Sequence, residues 1–478
     1  MALNLVRNSR VFFTTNVNSS TGVILATGAD DTNTFEIQVL DGFTFSQNTT
    51  ADTVTISEAG SAPVRGQRSF NTALAPVDFS FSTYARPYNN GSAVTAEESV
   101  LWNALLGTAP ISTASVTIGG TISGVTYTFT NGVGTVSIVG TSLTAVGIAV
   151  GDIVTIGSIS TTSPAANNTA INSAAVVKTV TGTSITLELV NPITTATTIT
   201  TPASVKLYKS AWAPVSAGYS VATAAYSNSN QLQKFGLIFM VDSVAYAVDN
   251  SALSQVSIDF GLDAIATLAW TGQATSLRQI ATSLSGNTFT GTDFAGSAKA
   301  KVTNANYITN KLSTVSMKLV NAIGAADAGD QYAIALTGGS LTINNNITYI
   351  TPANLGAVNL PVTYYTGTRA ISGTMNAYLK TGSGVESTGK LLADMLAAAS
   401  TTIEPMVALS IVIGGGSNQV KIALDMPAAT ITIPTVDVQQ VVSTVINFNA
   451  QAYVPSSTLD GNVFDLSKTN DIAIRYYA

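Results

Sequence analysis

The chain has 478 residues, of which 46% are apolar and only 10% charged, with a net charge of −6 and neither Cys nor His. An ordinary soluble domain carries roughly 25% charged residues, so this surface must be built from Ser, Thr, Asn and Gln, which repel one another weakly and suit burial against copies of the same chain. The missing His and Cys exclude disulfides, thiolate nucleophiles, a Ser–His–Asp arrangement and the commonest transition-metal ligand. The acidic balance argues against a protein that wraps nucleic acid through clustered Lys and Arg.

In chain order, MALNLVRNSRVFFTTNV sets Arg7 and Arg10 where an export signal would hold its apolar core. Short β-branched and aromatic runs follow, such as TFEIQVL, FSFSTYA, GVTYTFT, SITLELV, QVSIDF and VINFNAQAYV, separated by Gly, Asn and Asp. This spacing predicts an all-β-dominated chain with minor helix. One helix is expected over 95–107, with Val100, Leu101, Ala104 and Leu105 as its stripe, Thr95 as N-cap and Glu98 completing a capping box. A second is expected over 386–399, with Leu391, Leu392, Met395 and Leu396. Each has one apolar stripe, so each is expected to cover one sheet. The longest apolar stretch, 391–416, is broken by Asp394, Glu404 and Pro405 and reads as helix, turn and strand, not a membrane span.

The chain repeats itself. GFTFSQN (42–48) aligns with SLTINNN (340–346), and VDFSFSTYAR (77–86) with ISGTMNAYLK (371–380), placing Tyr84 on Tyr378 and Arg86 on Lys380. QVSIDFGLDAIATLAW (255–270) matches TITIPTVDVQQVVSTVINF (430–448), with Trp270 near Phe448. Tyr84 to Ile258 is 174 positions and Tyr378 to Ile433 is 55, so the first copy carries 119 extra residues after its helix. From Pro110 to Val205 the only charged residues are Asp152, Lys178 and Glu188. The alternation within this stretch predicts a small inserted β barrel or sandwich on a loop that tolerates insertion. The expected organisation is therefore a first unit over 1–109 and 209–280, an inserted β-rich domain over 110–208, and a second unit over 281–478.

No motif supplies a site. GVESTGK, Gly384 to Lys390, fits seven places of a phosphate-binding loop, but Leu391 stands where Ser or Thr should hold magnesium, and the first copy lacks the motif. GGTISG, GVGTVSIVG and GGGSNQ place glycines at turn spacing, not in a dinucleotide fingerprint. Asp30 and Asp31 read as a surface turn. Asp259 and Asp263 lack the aromatic platform of a sugar-cleaving cleft and read as a solvated or inward-facing strand. Trp102, Trp212 and Trp270 read as core. No catalytic, cofactor-binding or metal residue is therefore expected. The loop 56–71, with Glu58, Arg65 and Arg68, reads as an exposed hairpin loop or as an arm that docks on a neighbouring subunit.

LNLVRNSRVFFTT, SEAGSAPVRGQRSFNTALAPVDFSFSTYARPY, ALTGGSLTINNNITYITP, ITNKLSTVSMKL and TITIPTVDVQQVVSTVINF together resemble the major tail tube proteins of long-tailed phages of the T5 type. The resemblance covers most of the chain outside about 110–208. It implies two fused tube domains of β-sandwich or barrel form, each with a flanking helix. It also implies homotrimeric rings of pseudo-sixfold symmetry, stacked into a tube in the virion tail whose lumen carries DNA. The implied partners are copies of the chain, other tail proteins, and DNA in passage without specific binding; assembly would occur in the host cytoplasm. Acidic walls would suit a lumen that DNA slides through. A member of the family carries an immunoglobulin-like domain after its second tube domain, whereas this chain closes on IAIRYYA, and the 110–208 insert has no counterpart in the resemblance. The Ser/Thr-rich insert leaves a second class open, a β-rich surface adhesin or carbohydrate-binding protein.

Overall fold

The computed structural model describes residues 9–477, except 26–28, 30–32, 41, 58–59, 63–64, 90–93, 107–115, 131–132, 146–147, 149, 164–170, 194–196, 210–231, 242–243, 263, 281–282, 285–286, 289–306, 320–330, 385, 402–405, 416–419, 433–434, 438–441 and 453–470. The chain is all-β dominated, as its alternation predicts. The first copy contains β1 (Arg10–Thr14), β2 (Thr34–Ile37), β3 (Thr44–Ser57), β4 (Arg65–Tyr84), α1 (Ser99–Leu106), β5 (Phe235–Val241), β6 (Val244–Asp259), β7 (Thr267–Ala274) and β8 (Ser276–Ile280). The second contains β9 (Thr314–Leu319), β10 (Gln331–Ile334), β11 (Leu336–Asn344), β12 (Ala370–Tyr378), α2 (Thr388–Thr401), β13 (Met406–Gly414), β14 (Lys421–Ile431), β15 (Thr435–Asp437), β16 (Ser443–Gln451) and β17 (Ala473–Tyr477).

Both copies build the same two antiparallel layers. The outer layer runs β2–β1–β5–β6–β8 in the first copy and β10–β9–β13–β14–β17 in the second. The inner layer runs β3–β4–β7–β6 and then β11–β12–β16–β14. The long strands β6 and β14 cross from outer to inner layer, each at a register shift. In β6 the corner holds Asn250 at a positive φ of 50°; in β14 it holds Pro427, which has no N–H to lose from the ladder. The inner layers join where Gln255–Asp259 of β6 pairs with Ser340–Asn344 of β11. One apolar core fills both copies, from Phe13 and Trp270 to Ile411 and Phe448.

Differences from the expected boundaries have local causes. Val94–Ala96 pairs as a strand with Pro87–Asn89, so Thr95 lies in a ladder and α1 starts at Ser99. Glu98 is buried rather than capping. α2 begins after Ser387, whose hydroxyl accepts the Lys390 N–H at 3.0 Å. SLTINNNITYI is one run in sequence but two strands in space, split at Asn346 with φ of 47°. The alignment of β3 on β11 shifts by two residues: Phe45 faces Phe79 as Leu341 faces Gly373, so Thr44 corresponds to Ser340.

The insert folds on its own core. Its seven-stranded sheet runs from Val116–Thr117 to Lys206–Lys209 by sequence, around Val136, Ile138, Val154, Leu187 and Leu207. Its other face is spent on the second copy, where Ile153, Ala174, Val176 and Val190 pack on Met406, Ala408, Ala428 and Ala473. Lys318 and Glu188 meet across this contact at 4.0 Å with both side chains buried.

Candidate functional surface

The continuous inner sheet has two unlike faces because its strands alternate with period two. On one face Phe81, Trp270, Val256, Ile343 and Ile371 stand in a row across successive strands, all buried. On the other, Ser82, Ala269, Ser257, Thr342, Ser372 and Asn449 form the corresponding row. The neighbouring row reads Tyr84, Thr267, Asp259, Ser340, Thr374 and Asn447. A third contains Thr44, Ser80, Thr271, Gln255 and Asn344. Among the described residues of these rows there is no Lys or Arg. Among the described residues of these rows and of the row Ser46, Asp78 and Gln273, the charged side chains are the carboxylates of Asp78 and Asp259.

The polar face binds itself together. Thr44 and Ser80 hydroxyls meet at 2.8 Å, Ser340 and Thr374 at 3.2 Å, and Gln273 Nε2 donates to Asp78 Oδ1 at 2.9 Å. Short hydroxyl and amide side chains held this way give a wettable wall, and its groove of about 440 Å³ is lined mostly by polar residues such as Thr44, Asp78, Ser80, Gln273 and Asn344. The described residues of these rows offer no cation with which to grip a polyanion.

Several residues singled out in the sequence make contacts within the fold. Lys390 Nζ pairs with Asp394 Oδ2 at 2.7 Å and lies over the Tyr332 ring, so the phosphate-loop look-alike spends its lysine within its own helix. Glu386 pairs with Lys380 at 3.4 Å on the surface. Trp102 and Trp270 are fully buried and touch edge to face at 5.0 Å. Asp259 is exposed on the polar face. Asp30, Asp31, Asp263, Trp212 and Glu58 lie outside the described residues. The stretch 56–71 is largely strand, because β3 and β4 run on to Ser57 and from Arg65 as a long arm. The second copy answers with the hairpin Ile347–Ile350 and Thr363–Thr366. The two arms touch where Leu74 N donates to Asn359 O at 2.9 Å.

Two further constellations escaped the sequence reading. The first is a duplicated ion pair on the outer layer. Arg278 binds Asp249 at 2.6 Å, and Arg475 binds Asp425 at the matching register, Arg278 facing Ala247 as Arg475 faces Ala423. SLRQI against AIRYY, and AVDNSA against ALDMPA, carry that signal in the sequence. The second is the joint between copies. Trp102 Nε1 donates to Tyr476 Oη at 3.0 Å, and Tyr476 donates to buried Glu98. Burial raises the Glu98 carboxyl to about 8, with the Tyr476 hydrogen bond pulling the other way. Arg86 pairs with Glu97 at 2.9 Å beside it; there burial raises the Glu97 carboxyl to about 7 against the pull of the Arg86 charge.

Among the described residues no cluster of acidic side chains could hold a metal, and no helix is long and apolar enough to cross a membrane. No family model matches the chain. Over 455 residues it is 24% identical to the tail tube protein pb6 of Escherichia phage T5, covering 94% of this chain and 73% of that one. The chain is thus similar to a tail tube protein of a T5 phage over most of its length, as the resemblance in its sequence implies.

Proposed function

We propose that the chain is a structural protein of the virion tail, whose homotrimeric rings of six similar units stack into a tube that conducts DNA. The carrying observation is the inner sheet. Its two copies already stand side by side through a strand ladder, and the described rows of its open face are polar, with carboxylates as their charges. Three such chains supply six units, and closure removes sheet edges that otherwise invite uncontrolled pairing. The open face then lines the lumen, where DNA meets like charge and, among the described residues of these rows, no cation. Buried indoles, a spent lysine and the absence of His and Cys leave no catalytic inventory, so the protein acts by assembly and not by chemistry. The division into two tube units with an insert over 110–208 belongs to this reading, as do docking to other tail proteins and assembly in the host cytoplasm.

Electron microscopy of the purified chain under assembly conditions tests the reading: rings or tubes with three chains per layer are expected, and a persistent monomer would sink it. Lumen polarity has its own check. Ser257→Lys with Thr342→Lys should make assembled tubes retain DNA in a salt-dependent way, with the logarithm of affinity falling by about 0.9 per phosphate neutralised for each tenfold rise in salt. Tubes that stay inert to DNA would place this face elsewhere. Removal of 56–71 should leave rings that do not form long tubes.

A further inference from the structure

Resting on the ring reading above, we infer that the insert clasps the boundary between chains. Its hairpin of Gly119–Thr130 and Val133–Thr144 overhangs the second copy and lies on the first copy of the next chain.

The insert crosses the outer layer of the second copy strand by strand. Thr155, in Ile153–Gly157, receives Arg475 of β17. Val176, in Ala174–Val180, joins the cluster with Met406 and Ala408 of β13 and Ala428 of β14. Glu188, in Ser184–Leu189, meets Lys318 of β9. Asn191, just after it, accepts from Gln331 Nε2 of β10 at 3.2 Å. These three strands follow one another in the sheet of the insert, and the hairpin comes next. Among the described residues the outer layer ends at β10, so the hairpin falls beyond it. Tyr127 Oη ties it there by donating to Ile193 O.

The face that docks continues onto the hairpin. Glu188 faces Thr135, and Thr135 faces Thr128. Two positions along, Thr186, Ser137 and Thr126 form the next row, and Val139 stands in the one after. Side chains alternate with period two, so these residues look the same way as Glu188, while Val125, Tyr127, Val136 and Ile138 fill the core of the insert. Thr126, Thr128 and Val139 are exposed and Thr135 and Ser137 half-buried, so this part of the docking face is open in the single chain.

The direction of the overhang names its occupant. In the first copy β2 and α1 share a side, where Ile37 lines the same small cavity as Glu97 and Glu98, and that side receives β17 of the second copy through Trp102 and Glu98. In the second copy β10 and α2 share the corresponding side, where Tyr332 donates to Asp394. A ring of six similar units turns this side toward the first copy of the next chain. The strand waiting there is β8, the counterpart of β17, and its Arg278 holds the segment 18–25 by donating to Ile24 O at 3.3 Å. Asn18, Ser19, Ser20, Thr21, Val23 and Leu25 of that segment are exposed. Both surfaces are thus hydroxyl- and amide-rich with apolar spots, Val139 on one and Val23 and Leu25 on the other. Interface centres are depleted of charge, and of the three charged residues between Pro110 and Val205, Glu188 is already spent on Lys318.

The absence of Cys lets a single label report the contact. Full-length chain carrying Thr128→Cys, coupled to a benzophenone maleimide, should photo-cross-link in assembled rings to residues 15–25 of a neighbouring chain, seen as dimer and trimer bands and mapped by peptide mass spectrometry. Lys206→Cys with the same label, at the far side of the insert sheet, should give at least about tenfold fewer interchain adducts. Thr126→Glu should leave the melting of the single chain unchanged, because Thr126 is exposed there, and lower the trimer association constant at least about tenfold, a loss of about 1.4 kcal/mol. Rings whose Thr128 adducts stay within one chain, or equal those from Lys206, overturn the clasp. Adducts that form in tubes but not in single rings also overturn it, because they set the hairpin on the next ring. Rings indifferent to Thr126→Glu overturn its contribution to assembly. A wild-type chain that never forms rings overturns the ring reading itself.

Discussion

The two copies share their strand order and differ in how they protect it. In the first, the segment after β1 folds over the outer layer: Ile24 N donates to Asp249 Oδ1 at 2.9 Å, and Arg278 donates to Ile24 O at 3.3 Å. In the second, the insert takes that place, with Thr155 receiving Arg475 and Ile153 and Val176 covering Met406 and Ala408. One ion pair, inherited twice, is thus covered by two unrelated pieces of chain. The insert leaves the first copy after α1 and shields the second, so it braces the chain across its own joint. That role accounts for its apolar side, which a free-standing adhesion module would not need.

The sharpest way to break this comparison is to remove the carboxylates one at a time. Arg475 has a side-chain exposure of 9% and Arg278 one of 38%. Asp425→Ala strands a buried guanidinium under the insert and should cost about 3–5 kcal/mol. Asp249→Ala leaves an arginine that water can reach and should cost about 1–3 kcal/mol. Denaturant unfolding, with hydrogen exchange followed on β14 and β6, reads both. Equal losses would mean that the two covers are equivalent and that the insert adds nothing to the second pair.

A smaller effect probes what the copies have in common. On the buried face of the inner sheet, Phe79 faces Gly272 in the first copy and Gly373 faces Phe448 in the second, the same cross-strand site with the partners exchanged. A Cβ on either glycine would collide with the facing phenylalanine ring and a neighbouring strand carbonyl. Gly272→Ala and Gly373→Ala should each cost about 1–3 kcal/mol by overpacking, measured by the same unfolding curves. A neutral result at one of them would show that its sheet can spread where the other cannot.

This exchange explains part of what the sequence could and could not tell. Tyr84 and Tyr378 mark a true register, but Trp270, which faces Phe81, corresponds to Ile446, which faces Met375, two positions from Phe448, and β3 aligns two positions from its best match in sequence. A shift of two keeps every side chain on its face, so alternation cannot detect it. The ladder can, because it fixes which residue faces which. The ion pairs were spelled out in the repeats, yet Asp425 and Arg475 are joined only once β14 and β17 are known to be neighbours. Nothing periodic in the insert states that its partner is the second copy. Lys390, whose phosphate-site spacing is set aside because Leu391 follows it, pairs with Asp394 one helical turn away.

The least expected effect, and the most specific to one joint, is a pH dependence. The backbone N–H after β4, on Arg86, donates to Glu98 at 3.4 Å; the matching N–H on Lys380 donates to the Thr388 hydroxyl at 2.7 Å. One copy therefore uses an acid where the other uses a neutral group. Glu98 faces Tyr476, Trp102, Arg86 and Glu97, and burial raises its carboxyl from 4.5 to about 8. A carboxyl with a raised folded value holds its proton in the fold after the unfolded chain has lost it, so folding takes up a proton between these limits. The stability of the α1–β17 joint is then fullest below about pH 4.5 and declines as pH rises toward about 8. Glu98→Gln keeps an acceptor for Tyr476 and removes the titration. It should flatten the difference in hydrogen-exchange protection of α1 between pH 5 and pH 8, while α2, with Thr388 in the matching place, shows little dependence in either chain. A slope that survives in Glu98→Gln would assign it to Glu97, whose carboxyl burial also raises, to about 7, against the pull of Arg86.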